Sequence, residues 1–217
     1  QETDPKIVAV HTARMKWVVK ECDQIICVSQ NTAADLKRLF KVANNRIKVI
    51  YEALPERHKL TPQITKQANY VFAIGARQPR KNIDRLKKAC ELLQQKLIIV
   101  GEGSDIGYVS DQDLVNYFAN AAVFVYPSLY EGFGLPILEA FYHKVPVACS
   151  NTSSLPEIAG DAAVYFDPLS VKEMARAIAE AIAQRDKLVA AGKKQLSKFS
   201  WEKAANETYQ VYKSLSQ

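Results

Sequence analysis

Glycine is scarce in this 217-residue chain: there are eight, and none precedes Gly75. Average usage of about 7% would give roughly twice that number. Seven of the eight lie between Gly75 and Gly160, and a chain so sparing places each one for backbone reasons. Histidine is scarcer still, with only His11, His58 and His143. The cysteines Cys22, Cys27, Cys90 and Cys149 form no C-x-x-C pair and sit in apolar settings such as QIICV and PVACS. That argues against a zinc site and for buried, reduced thiols. No run approaches the ~18 apolar residues of a membrane span, and no secretory leader is read. A soluble, cytoplasmic protein is expected, one that can still rest peripherally on the inner face of a membrane.

What is present is ordinary for a globular chain: 48% hydrophobic and 24% charged residues. That composition excludes a disordered tail, a collagen-like fibre and a coiled coil. The length fits one to one-and-a-half domains. Net charge is +6, and residues 1–60 carry 11 basic against 7 acidic side chains. The bias suits an anionic membrane face or a phosphorylated ligand, and equally a solvated basic surface. It lacks the dense, aromatic-interleaved stripe of a nucleic-acid binder, so no nucleic-acid partner is expected.

Along the chain, short apolar runs rich in β-formers alternate with helical patterns. KIVAV (6–10), QIICVS (24–29), RIKVIYE (46–52), YVFAIG (70–75), KLIIVG (96–101), AVFVYP (122–127), VPVACS (145–150) and AAVYFD (162–167) read as strands. Helices are expected over 12–22, 31–40 (capped by Ser29 or Asn31), 82–95, 111–121 (capped by Asp111), 134–144, 170–184, 186–195 and 201–215 (capped by Ser200). Residues 53–69 contain two prolines and little periodicity and read as an interdomain linker. The alternation predicts an α/β fold: a Rossmann-like parallel sheet with helices on both faces.

In such sheets ligands bind beyond the carboxyl ends of the strands, where Gly75, Gly101, Gly107, Gly132 and Gly134 fall. In SLYEGFGLPILEAF (128–141), Gly132 and Gly134 flank Phe133 just before a helix. Its N-terminus supplies unpaired N–H groups and partial positive charge for a diphosphate. Glu131 and Glu139 can face one ligand from different heights, and carboxylates suit sugar hydroxyls. The plainer alternative is a solvated Glu131 and a dipole-stabilising Glu139. In GARQPRKN (75–82), Arg77, Arg80 and Lys81 sit where cations would neutralise a diphosphate, or merely decorate a surface loop. Gly107, Tyr108 and Val109 could set backbone groups against a nucleobase edge.

These segments together resemble the GT-B retaining glycosyltransferases, family 4, over about residues 24–215. EGFGLPILEA (131–140) looks like their Glu-x7-Glu signature and GARQPRKN like their phosphate-binding turn. GYVSDQDL, CSNTSSLPEIAGDAAVYFDP and FSWEKAANETYQVY continue the match. The resemblance implies a remnant of the acceptor-side domain at 1–52, a linker at 53–69, a nucleotide-sugar-binding domain at 70–198 and a returning terminal helix at 199–217. It implies Glu139 on the donor ribose and Glu131 on the transferred sugar. The N–H groups of Phe133, Gly134 and Leu135 would meet phosphate or sugar, and Arg77 and Lys81 the diphosphate, with Arg80 competing for the arginine role. The backbone near Tyr108 would hold the base. His11 would follow a strand and face the cleft as a catalytic histidine, or serve structurally.

By resemblance the reaction moves a sugar from a UDP- or GDP-sugar to a saccharide or lipid-linked acceptor with retention, and needs no metal or other cofactor. Three features depart from the family. The acceptor-side domain is largely truncated, the joins near His11 and Asp105 are short, and Glu52-Ala53 replaces an Asn-Gly at the hinge. Rival readings are a non-catalytic nucleotide-sugar-binding module, a nucleotide-sugar epimerase, and a glycoside hydrolase using both glutamates. A helix start would keep both carboxyls ionised, which argues against the hydrolase.

Overall fold

The computed structural model describes residues 5–64, 69–75 and 77–216. In chain order the elements are α1 (Pro5–Glu21), β1 (Ile25–Cys27), α2 (Gln30–Phe40), β2 (Ile47–Val49), β3 (Tyr70–Ile74), α3 (Ile83–Leu92), β4 (Lys96–Val100) and α4 (Asp111–Ala119). They continue with β5 (Val123–Tyr126), α5 (Leu135–Tyr142), β6 (Val147–Ser150), α6 (Leu155–Ala159), β7 (Ala163–Phe166), α7 (Val171–Ala183), α8 (Arg185–Leu196) and α9 (Trp201–Leu215).

The larger sheet is parallel throughout, in the order β4-β3-β5-β6-β7. Alternation within its central strands feeds two apolar layers. Phe72 and Phe124 point to one face, packing with Phe118 of α4 and with Ile137, Leu138 and Phe141 of α5. Val71, Ala73, Val123 and Val125 point to the other, against Leu86 of α3 and Met174 and Ile178 of α7. Ring centroids of Phe72, Phe118 and Phe124 lie 5.0–6.0 Å apart, within the range of favourable aromatic pairing. Strand order reverses between β3 and β5. The segments leaving their carboxyl ends therefore diverge and open a crevice.

β1 and β2 form a separate two-stranded parallel sheet under α2. α9 closes back on it: Trp201 Nε1 donates to the Leu54 carbonyl at 2.9 Å, and Ala204 and Val211 pack on Ile50. Ser29, Ser110, Ser170 and Ser200 cap α2, α4, α7 and α9 by accepting from the N–H three residues on. Ser110, not Asp111, is thus the cap of α4; the Asp111 carboxylate sits in the first turn, where the helix dipole favours it.

The strand expected at KIVAV is instead the start of α1. Among the described residues KIVAV pairs with no strand, and the helix satisfies its backbone groups internally. Its apolar side chains stay out in solvent, with Ile7, Val8 and Val10 about half exposed (50%, 49% and 50%). The stretch expected as a linker, 53–69, is locally ordered. Glu56–Lys59 forms a 3-10 turn that buries one side chain completely; residues 65–68 of that stretch lie outside the described residues.

α8 lies close on α5 because Gly192 offers no side chain. A Cβ there would stand 2.7 Å from Phe141 Cδ1. Gly192→Ala gains up to about 1 kcal/mol of helix propensity but overpacks a ring whose displacement costs about 1–3 kcal/mol. We expect a net loss of about 1 kcal/mol, read as a lower urea midpoint at unchanged slope. A stabilised variant would show the contact to be soft.

Candidate functional site

Two loops meet at the crevice. The first leaves β3 through Gly75 and turns at Pro79–Lys81; Ala76 lies outside the described residues. Asn82 anchors this turn, its Nδ2 donating to the carbonyls of Pro127 (3.0 Å) and Pro168 (2.7 Å). The second leaves β5 and runs through Glu131 to α5. Leu129 N–H donates to the Arg80 carbonyl at 2.7 Å, tying the loops side by side.

Glu131 is where they converge. Its Oε1 lies 2.6 Å from Arg80 Nη1, 2.8 Å from Lys81 Nζ and 2.8 Å from Ser128 Oγ, with the carboxylate buried (side chain 10% exposed). Lys81 also lies 3.1 Å from the Tyr126 hydroxyl and 4.9 Å above that ring. Burial pushes the Glu131 carboxyl up, but the Lys81 charge and hydrogen bonds from Lys81, Arg80 and Ser128 outweigh it and hold the group below the ordinary carboxylate range. Burial first, then the nearby Glu131 carboxylate, raise Tyr126 well above 10. The cluster thus keeps a neutral phenol, an anion and two cations in one small space.

Beyond Glu131 the backbone is pinned from both sides. Ser29 Oγ and Thr32 Oγ1 donate to the Gly132 carbonyl at 2.7 and 3.1 Å. Ser154 Oγ lies 2.9 Å from the Glu131 carbonyl and 2.7 Å from that of Phe133. Phe133 is buried against Tyr51 and Phe199. Gly134 then turns the chain into α5 with φ +118°, a conformation L side chains rarely adopt, and a Cβ there would meet Leu155 Cδ2 at 3.1 Å. Pro136 occupies the first turn of α5, where a missing N–H costs nothing. The Glu157 carboxylate accepts from the N–H groups of Gln30 and Asn31 at 2.8 and 3.3 Å, so the first turn of α2 is fastened to the strand-β6 side of the molecule.

The expected site residues are not all brought together. Arg80, Lys81, Glu131, Gly132, Phe133, Gly134 and Leu135 are brought together at or beside the cluster. Arg77 lines the cleft but is not brought to Glu131: its side chain is exposed and ion-paired with Glu102, while Arg80 pairs with Glu131. Around a cleft of about 210 Å³ stand Gly75, Arg77, Arg80, Lys81, Gly101 and Tyr108. Gly107 closes the short join. Its carbonyl accepts from Gly101 N–H at 2.7 Å and its N–H donates to the Ser104 carbonyl at 3.2 Å, so both groups expected to face a base are committed to the turn. Tyr108 is 80% exposed beside the cleft, and Val109 packs against the core. His11 follows no strand; it is exposed in α1 and is not brought to the cluster.

Glu139 is buried, 1% exposed, four residues into α5 and close enough to Tyr126 to raise its pKa. Its Oε1 lies 2.8 Å from His58 Nε2. His58 Nδ1 lies 3.0 Å from His143 Nε2. Burial first, and then His58, push the His143 imidazole down to about 4, with Glu139 opposing. His58 was missed because it sits in an aperiodic stretch with no spacing signal. Ser29, Thr32, Ser154 and Glu157 were missed because their contacts join elements distant in sequence. Among the described residues no group of three or more His, Cys, Asp or Glu could hold a metal ion.

A parallel sheet whose switch-point crevice carries a Gly-x-Gly helix entry, paired cations and a Glu-x7-Glu spacing is half of the GT-B glycosyltransferase architecture. The model for "Glycosyl transferases group 1" matches residues 106–198, and that for "Glycosyltransferase Family 4" residues 5–55; the chain belongs to this family. The O-antigen chain mannosyltransferase B of Escherichia coli is 36% identical over 233 aligned residues, covering 88% of this chain and 60% of that protein. That alignment is longer than this chain's 217 residues, so the relative carries segments this chain lacks within the shared region. Sucrose-phosphate synthase from Thermosynechococcus elongatus superposes with a TM-score of 0.77 at 23% identity, over 94% of this chain and 62% of that one. Anabaena HepE, solved in complex with UDP and glucose, gives 0.75 at 17% identity, over 94% and 66%. These last two establish the fold.

Because Glu131 titrates lower in the folded than in the unfolded chain, its stabilisation is complete above about pH 4.5 and is lost as pH falls through the folded value. Glu131→Gln should cost about 1–3 kcal/mol at pH 7, leaving Arg80 and Lys81 crowded without an anion. In urea unfolding the gap to wild type should narrow below pH 4.5. A gap constant from pH 3 to 7 would show that the carboxylate charge is not what holds the cluster.

Proposed function

We propose that the chain is the donor-binding part of a retaining glycosyltransferase that moves a hexose from a nucleoside diphosphate sugar to a saccharide or lipid-linked hydroxyl. The observation that carries this reading is the convergence of Arg80 and Lys81 with Glu131 beside the N-terminus of α5. An anionic diphosphate entering there meets two cations and the unpaired N–H groups that open a helix. It leaves as the sugar's C1–O bond to phosphate breaks, and the same groups stabilise its growing charge. The acceptor oxygen then bonds to C1, and its proton passes to the departing phosphate. Metal assistance is unnecessary in this reading, since side-chain cations and the helix end supply the positive field.

Glu139 would take the ribose hydroxyls, Glu131 the transferred sugar, and the backbone from Phe133 to Leu135 the phosphate or sugar. Val109 and Tyr108 flank the base. Mannose is the favoured sugar, because the Escherichia coli relative is named a mannosyltransferase. The chain spans 60% of that relative, so acceptor choice and transfer belong to this proposal as well. The alternatives differ by product: an epimerase would convert the nucleotide sugar without an acceptor.

Calorimetric titration with GDP-mannose and UDP-glucose tests the site. Lys81→Ala and Arg80→Ala should each weaken binding about tenfold or more, the scale of one lost charge-assisted hydrogen bond. Arg77→Ala should change it less than about twofold, and EDTA should leave it unaltered. No binding of either nucleotide sugar, or equal binding by the Lys81 and Arg80 variants, would overturn the reading.

A further inference from the structure

His58 is a polar side chain that the proposed transfer leaves without a role. The 3-10 turn Glu56–Lys59 carries it inward until none of its surface is exposed. Three elements fix its ring. Its own turn is closed by His58 N–H donating to the Pro55 carbonyl at 3.2 Å. Phe118 of α4 meets it edge-on at 5.9 Å and stacks on His143 at 5.7 Å. From α5, Glu139 and His143 stand one helical turn apart and take its two nitrogens, Oε1 at 2.8 Å from Nε2 and Nε2 at 3.0 Å from Nδ1.

Those distances constrain the protons. An ionised carboxylate only accepts, so His58 Nε2 bears a hydrogen. If His58 is neutral, Nδ1 accepts and His143 Nε2 donates. If His58 is cationic, Nδ1 donates and His143 accepts. Either way Nε2–H is aimed at Glu139. Burying two imidazoles and a carboxylate in an aromatic pocket costs more than filling it with apolar carbon, unless each is hydrogen-bonded. What the polar arrangement adds is a fixed orientation for Glu139.

We propose that His58 is a positioning residue for the nucleotide donor: its Nε2–H holds the Glu139 carboxylate in the rotamer that meets the ribose hydroxyls, and His143 fixes the ring behind it. This rests on the reading of Glu139 as the ribose ligand. The linker thereby contributes to donor affinity without touching the donor.

The test compares GDP with inorganic pyrophosphate, which lacks ribose, by calorimetry on the full chain. His58→Gln keeps an N–H donor where Nε2 stands and should bind GDP within about threefold of wild type. His58→Asn places its amide nearer Nδ1, and His58→Phe has no donor. Both should weaken GDP about tenfold while leaving pyrophosphate within about twofold, a split that misfolding would not produce. On a Glu139→Gln background, His58→Phe should add less than about twofold. Equal losses for GDP and pyrophosphate, a gain in GDP affinity, or additivity with Glu139→Gln would each overturn the positioning role alone. Glu139→Gln binding GDP as wild type does would overturn the ribose assignment, and this proposal with it.

Discussion

One carboxylate oxygen organises the crevice. Arg80, Lys81 and Ser128 all place a donor within 2.8 Å of Glu131 Oε1, and without that anion the two cations would repel each other across a partly desolvated gap. Glu131 lets the turn after β3 fold against the loop after β5, so that strand-end geometry becomes a charged pocket. Its burial costs free energy, and the surrounding charges and hydrogen bonds offset that cost. Two cations are thus held side by side at the strand ends by one internal anion.

The same loop ties the two sheets together. Gly132 offers its carbonyl to Ser29 and Thr32, so the cap of α2 and the approach to α5 share hydrogen bonds. α9 returns from the far end of the chain to fasten Leu54 and Ile50. The crevice is bounded by parts of the molecule far apart in sequence, held by short polar contacts and by a shared apolar cluster in which Tyr51 and Phe199 pack on Phe133.

The fold was largely legible in the sequence. Every strand of the larger sheet showed as an apolar run ending near a glycine, proline or serine, because strands buried on both faces leave that signature. KIVAV was the instructive miss. Its β-branched run is read correctly as apolar, but periodicity says nothing about whether a neighbouring strand is there to pair with. At the site, Arg80, Lys81, Glu131 and the Gly132–Leu135 backbone were visible because they lie in two short motifs. Which of two nearby arginines reaches Glu131 is not readable from the motif, because it depends on tertiary partners: Arg77 pairs with Glu102 and Arg80 with Glu131. His58 was invisible because its partners are 81 and 85 residues away.

Two helix starts, those of α2 and α5, border the Gly132 loop, and either could in principle attract an anion. Glu157 removes the ambiguity. By accepting from Gln30 and Asn31 while Ser29 caps Thr32, it saturates the opening turn of α2 with the protein's own negative charge. The first turn of α5 carries no acidic residue, so of the two helix starts that border one loop, the one at α2 is already matched by an internal carboxylate.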